Sequence, residues 1–190
     1  MLAVGGDLSD QRLLLAYSHG IFPWFSDETP ILWYSPHDRF VLFPEKIKVS
    51  SSMQQLIRRR QFSVTSDQSF EEVITACSEI YRPGQPGTWI TADMIKAYIR
   101  LHEMGFAHSL EVWEKGKLVG GLYGVIINKV FCGESMFSRV SNASKMALVA
   151  LCRNASFRMI DCQMHTPHLE SMGAEYISRE KYLEILSSTT

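Results

Sequence analysis

The chain has 190 residues, 46% apolar and 21% charged, with a formal net charge of -1. That composition suits a soluble globular protein of one domain, or one domain with a small appendage, and excludes a chain coated uniformly in positive charge. No apolar run approaches the roughly 20 residues of a membrane span and no signal-peptide pattern opens the chain, so no membrane partner is expected. Four cysteines, Cys77, Cys132, Cys152 and Cys162, lie far apart without metal-like or paired spacing. They read as reduced core residues of a cytoplasmic protein.

In chain order, the Gly5-Gly6 turn precedes a helix with Ser9 as its cap. Leu13, Leu14, Ala16 and Tyr17 form its apolar face, and Gly20 ends it. The abrupt start at a Gly-rich turn carries the expectation of a longer natural N-terminus. Phe22, Trp24, Phe25, Trp33 and Tyr34 follow in a segment that also holds prolines. Such a cluster makes a small core or lines a pocket for something flat or apolar. Residues 39–49 read as a strand interrupted by Pro44, which places it at an edge or a bulge, and 51–60 as a short helix ending in Arg58, Arg59 and Arg60. With Lys46 and Lys48, these arginines form a basic stretch that holds no acidic residue as far as Ser66. It is either a solvated helix end favoured by the macrodipole or a footprint for a phosphate backbone.

A strand at 62–66 leads into a helix with Phe70, Val73, Ile74 and Cys77 on one face, and Ser69 and Glu72 stand at capping-box spacing. A Pro/Gly loop delivers Trp89, and Thr91 caps a helix carrying Ile95, Tyr98 and Ile99. Three strands then alternate through 106–137, with turns at 114–117 and 128–129. Gly120, Gly121 and Gly124 fall inside the second, where close approach of a ligand or backbone, or a bulge, would explain them. A long helix opened by Asn142 follows, with Met146, Val149 and Cys152 on one stripe. After it come a short strand at 160–163, a short helix, a strand at 174–178 and a terminal helix. This order predicts an α+β fold with a mixed sheet and flanking helices, and it is the element order of Gcn5-type (GNAT-like) acetyltransferases.

The chemistry concentrates between 131 and 163. Glu134, Asp161 and Gln163 fall within or at the ends of strands that should be buried. A buried carboxylate must be paired, hydrogen-bonded or protonated. Two in one core suggest catalysis, with a structural hydrogen-bond network as the alternative. Gcn5-type enzymes hold the pyrophosphate of acetyl-CoA on a Gly-rich turn at the start of the long helix. Here that turn reads SRVSNASK, so the acyl donor is expected to be something else. His165 and His168 read as solvated loop histidines, and no metal or soluble cofactor is expected.

The segments LAVGGDLS, LLLAYSHGIFPWF, ILWYSPHDR, TWIT, AHSLEVW, LVGGLYGV, GESMFSR, NASK and IDCQ together resemble the bacterial leucyl/phenylalanyl-tRNA–protein transferases. The resemblance runs from residue 2 to about 184. It implies transfer of Leu, Phe or Met from aminoacyl-tRNA to a protein whose N-terminal residue is Arg or Lys, marking that protein for degradation by the N-end rule. It also implies a small N-terminal α/β domain, 1–38, before an acetyltransferase-like catalytic domain, 39–190. The family's catalytic Asp-x-Gln maps onto Asp161 and Gln163, and its Glu onto Glu134. Its aminoacyl side-chain pocket maps onto Leu122, Phe131, Met136 and Ile160, and its adenosine contacts onto Trp24 and Trp89.

The residues make chemical sense of this reading. An N-terminal amine has a pKa near 8 and must lose a proton to attack an ester. Asp161, relayed through Gln163, is expected to take that proton, while Glu134 attracts the cationic acceptor or orients the amine. Arg58, Arg59, Arg60, Lys46 and Lys48 are the expected tRNA contacts, although Ser51, Gln54 and Gln55 stand where the family usually carries basic residues. A monomer is expected. Two other functions stay open: an N-acyltransferase using a small thioester, and a non-catalytic protein that binds tRNA or N-terminal peptides.

Overall fold

The computed structural model describes residues 1–80, 88–153 and 156–188. Most of the Pro/Gly loop before Trp89 and part of the connection after the long helix lie outside the described residues. The N-terminal segment contributes β1 (Ala3–Val4), α1 (Asp10–Ser18), β2 (Phe22–Pro23) and β3 (Leu32–Tyr34), whose three strands form their own sheet in the order β1-β3-β2. Ser9 occupies the N-cap of α1 without a side-chain bond; Asp7 accepts from its N–H at 3.0 Å. Gly20 turns the chain at φ +69°, and a Cβ there would lie 2.7 Å from the Tyr182 ring. Phe22 and Trp33 are buried while Trp24 is half-buried, so the aromatic cluster supplies both core and pocket wall.

The rest of the chain builds β4 (Asp38–Leu42), α2 (Ser51–Arg58), β5 (Ser63–Ser66), α3 (Phe70–Glu79), α4 (Ala92–Glu103), β6 (Ala107–Glu114), β7 (Lys117–Ile127), β8 (Val130–Ser138), α5 (Ala143–Arg153), β9 (Met159–Gln163), α6 (Pro167–Ser171), β10 (Glu175–Ser178) and α7 (Arg179–Ser187). Seven strands join in the order β10-β4-β9-β8-β7-β6-β5. Their pairings are antiparallel except between β8 and β9. Apolar faces of α1, α3, α4 and α7 cover one side of the sheet; α5, with α2 and α6, covers the other. This is the mixed α+β architecture that the element order predicts.

Local expectations needed correction at three places. The strand expected over 39–49 stops at Leu42, because Pro44 has no N–H for a ladder and its φ is preset for a helical turn; Pro44–Lys46 is a 3-10 turn instead. The capping box before α3 does not form, since Ser69 stands at the N-cap with φ -148° and ψ 49° and makes no side-chain cap bond. Helix α5 starts after Asn142, which is left-handed at φ +70°, and Ser138 Oγ accepts from Ser144 N at 3.3 Å. Thr91 caps α4 as expected, accepting from Met94 N. Gly120 also finds its reason, because a Cβ there would lie 2.5 Å from that of Ala143, where α5 presses on β7.

Candidate active site

Strands β8 and β9 pair for three residues only, Val130↔Met159, Phe131↔Ile160 and Cys132↔Asp161. Just beyond, each carries an extra residue. The β7–β8 register jumps from Gly124↔Gly133 to Tyr123↔Ser135, bulging Glu134. The β4–β9 register jumps from Val41↔Asp161 to Phe40↔Gln163, bulging Cys162. Bulges bend a strand and re-aim side chains, so the two strands part and open a wedge in the sheet. A cavity of about 440 Å³ sits there, walled by Gly133–Met136 on one strand and Asp161–Met164 on the other. Leu122, Phe131, Met136, Ile160, Trp24 and Trp89 line it together with Glu134, Asp161 and Gln163. The structure therefore brings all nine of these residues to one place.

Glu134 is buried and accepts hydrogen bonds from Tyr17 OH at 2.6 Å, Gln163 Nε2 at 2.7 Å and Tyr98 OH at 3.2 Å. The two phenols also hydrogen-bond each other. Two hydroxyl protons satisfy only two of the three contacts in the Tyr17–Tyr98–Glu134 triangle; a proton on the carboxyl would supply the third. Burial pushes the Glu134 carboxyl up to about 7, against the three hydrogen bonds that pull it down and with a small push from the Asp161 charge. Burial, then the Glu134 charge, also raises both phenols well above their usual range, so they remain protonated donors.

Asp161 is closed off. Its Oδ1 accepts from Arg39 Nε at 2.8 Å and from Gln163 N at 2.8 Å; its Oδ2 accepts from Arg39 Nη2 at 2.6 Å and Tyr182 OH at 2.9 Å. Two bonds on each oxygen fill what a carboxylate can accept. Arg39 is 2% exposed and Asp161 0%. The guanidinium lies over the Phe22 ring at 4.7 Å and the Tyr182 ring at 4.5 Å, and donates to Gly20 O at 3.1 Å. Burial works against the Arg39 charge, but the Asp161 carboxylate more than offsets it and holds the group above its usual range. Asp161 thus reaches Gln163 through its backbone N–H. The Gln163 side chain, on a residue with φ +61°, turns to Glu134. Gln163 therefore stands between the two carboxyl groups, bonded to Asp161 by its backbone and to Glu134 by its side chain.

Arg39, Tyr182, Tyr17 and Tyr98 were missed by sequence reasoning. One signal was available: a buried Asp needs a cation, and Arg39 opens the apolar run RFVLF. Leu148, Leu151 and Leu169 also line the cavity and were missed. His165 is the exposed loop residue expected, whereas His168 is not. His165 stacks on Tyr176 and pairs with Glu170 at 2.9 Å, His168 lies half-buried in α6, and both reach the cavity. The basic residues lie elsewhere. Arg58, Arg59 and Arg60 are exposed at the end of α2, Lys48 is exposed before it, and Lys46 is engaged by Glu175.

The family model for leucyl/phenylalanyl-tRNA protein transferase matches residues 41–187, and the model for that protein's N-terminal domain matches residues 6–37. Among curated relatives, the leucyl/phenylalanyl-tRNA–protein transferase of Syntrophobacter fumaroxidans is 54% identical over 190 residues, covering 98% of this chain and 81% of its own. Those of Hydrogenovibrio crunogenus (55%; 100% of this chain, 75% of its own) and Nitrosospira multiformis (57%; 98% and 81%) are similarly alike. Among solved structures, a conserved protein of unknown function from Bacteroides thetaiotaomicron superposes with TM-score 0.53 at 11% identity, covering 90% of this chain and 58% of its own. A GCN5-related N-acetyltransferase from Kribbella flavida gives TM-score 0.42 at 12% identity, covering 85% and 58%.

Proposed function

Because the chain belongs to the leucyl/phenylalanyl-tRNA protein transferase family, we propose that it moves Leu, Phe or Met from aminoacyl-tRNA onto proteins beginning with Arg or Lys, marking them for degradation. The observation that carries this reading is one wedge-shaped cavity combining an apolar floor, two tryptophans and a carboxyl pushed up to about 7. The donor side chain lies on Leu122, Phe131, Met136 and Ile160. Such a floor separates apolar side chains by size at about 1–3 kcal/mol per methylene. It rejects charged ones, whose desolvation nothing there would offset. Trp24 and Trp89 hold the terminal adenosine, since stacking suits any base face.

In the transfer, the acceptor's α-amine attacks the ester carbonyl, the C–N bond forms, and the ribose oxygen leaves with a proton. The amine must shed a proton on the way. Glu134 is the better acceptor for it, because its raised pKa lies close to that of the amine, near 8. Gln163 holds the Glu134 carboxyl by its side chain. Asp161, itself fixed by Arg39 and Tyr182, holds the Gln163 backbone and acts as a positioning residue. The ester is already activated, so placing amine and carbonyl in contact supplies much of the rate. Arg58, Arg59, Arg60 and Lys48 bear the tRNA body. The protein works as a monomer in the cytoplasm, a setting that suits the free thiols of Cys132 and Cys152.

The test is to incubate the protein with tRNA charged with radiolabelled Leu, Phe or Met and a peptide beginning with Arg. The expected product is the peptide extended by one labelled residue, with no extension of a matched peptide beginning with Glu. Label released only as free amino acid would overturn the reading.

A further inference from the structure

A second cavity, of about 410 Å³, lies behind the aminoacyl floor. Among the described residues, Phe131 and Leu151 alone line both cavities. The second cavity is lined by Ile126, Ala150 and Phe157, which pack in the same apolar cluster as Phe131, and by residues of β5 and β6 such as Val64 and Leu110. The Phe131 ring is held between the two cavities. It is 1% exposed and makes an edge contact with Phe157, ring centroids 5.7 Å apart at 71°. The space it fills exists because residue 124 is glycine: a Cβ there would lie 2.6 Å from Phe131 Cε1 and 2.8 Å from Cζ. Sheet and loop therefore cooperate to keep this one ring in place.

We infer that Phe131 is a partition that sets the upper size of the donor side chain, and that the cavity behind it is an annex which a longer aryl side chain enters once the ring is withdrawn. This rests on the aminoacyl-transfer reading above. The floor as it stands takes one aliphatic or phenyl group; the two spaces joined would take a fused or extended aryl group. Leucine gains nothing from the added space and would lie against a gap where the ring stood.

The experiment compares leucyl-, phenylalanyl- and 2-naphthylalanyl-adenosine as minimal donors to an Arg-initiated peptide, in the parent, F131A, A150F and F131A/A150F. Ala150 faces only the annex, so A150F alone should leave Leu transfer unchanged. In F131A the ratio of naphthylalanyl to leucyl kcat/KM should rise by about tenfold or more, as adding room for several carbons to an apolar site implies. Filling the annex in F131A/A150F should cancel that rise. A rise that survives A150F would overturn the inference, because the space vacated by the ring would then suffice. No rise in an F131A protein that still transfers Leu would overturn it equally. If F131A does not fold, F131L, which withdraws only the far edge of the ring, is compared in the same way, with and without A150F. A parent enzyme that transfers neither Leu nor Phe would instead refute the underlying reading.

Discussion

The buried pair Arg39–Asp161 allows a quantitative prediction about what Asp161 does. In D161N, Arg39 keeps its charge but loses its counter-ion at a site where the two residues are 2% and 0% exposed. The new amide also sets its NH2 against donors, either Arg39 Nη2 and Tyr182 OH, which now donate to Oδ2 at 2.6 and 2.9 Å, or Arg39 Nε and Gln163 N, which now donate to Oδ1. Removing one partner of a buried ion pair costs about 3–5 kcal/mol, against a total stability of about 5–15 kcal/mol for a domain. D161N should therefore unfold at much lower urea concentration and lose transfer largely because it is loosened. R39M strands the carboxylate and should cost a similar amount. The double variant R39M/D161N leaves no orphan charge, so its loss should fall short of the sum of the single losses by about 1–3 kcal/mol. The assay is equilibrium urea unfolding followed by circular dichroism, with transfer measured on protein that is folded at the assay temperature. Additive losses, or a D161N stability within error of the parent, would refute the account. Transfer that is partly restored in the double variant would fit a positioning role, whereas a folded but inactive double variant would return the proton-accepting role to Asp161.

Two further outcomes follow from the same geometry. Glu134 has a folded pKa near 7, raised from 4.5, so the fold binds a proton there that the unfolded chain has released. Its contribution to stability is present below about pH 4.5 and lost as pH rises through 7. The size is about 3 kcal/mol at 1.36 kcal/mol per unit, and E134Q should flatten that slope in urea titrations run from pH 4 to 8. The same ionisation should make the transfer rate rise through pH 7 in the parent, a limb that E134Q should lack along with most of its activity; an unchanged pH–rate profile would clear Glu134 of the proton. At the exposed end of α2, R58E/R59E should weaken binding of differently charged tRNAs alike and reduce the slope of log affinity against log salt by about one unit for each phosphate no longer engaged. The rate on a minimal aminoacyl-adenosine should stay at the parent's value, and equal loss on that donor would assign these arginines to the fold instead.

What the sequence made legible was periodicity. The meander β6–β7–β8 declared itself by alternation and by two-residue turns in which Lys115, Gly116, Asn128 and Lys129 all take positive φ. The helices α3, α4 and α5 declared themselves by their apolar stripes. What was not legible is what an extra residue does to a strand. Nothing in composition marks Glu134 or Cys162 as bulged, because a bulge is a relation between two strands, and β4 meets β9 more than a hundred residues later in the chain. The same distance hid the partner of Asp161, since Arg39 is 122 residues away. The nine cavity residues came to notice unevenly. Glu134, Asp161 and Gln163 stood out as polar groups among apolar ones, but the floor and the tryptophans are ordinary core types, legible only through the family resemblance.

The N-terminal segment cannot be treated as an appendage to the site. Tyr17 of α1 donates to Glu134 at 2.6 Å, Gly20 O accepts from Arg39 at 3.1 Å, the Phe22 ring lies under that guanidinium, and Trp24 walls the cavity. Each contact joins residues before position 38 to groups after it. Burial is the largest cause of the raised Glu134 pKa, and Tyr17, fully buried against that carboxyl, supplies part of it. Lifting α1 away would admit water, lower the carboxyl toward its ordinary range and leave it a weaker base for an amine of pKa near 8. A division of the chain near Asp38 therefore fits the sequence segments, yet the chemistry is assembled across it.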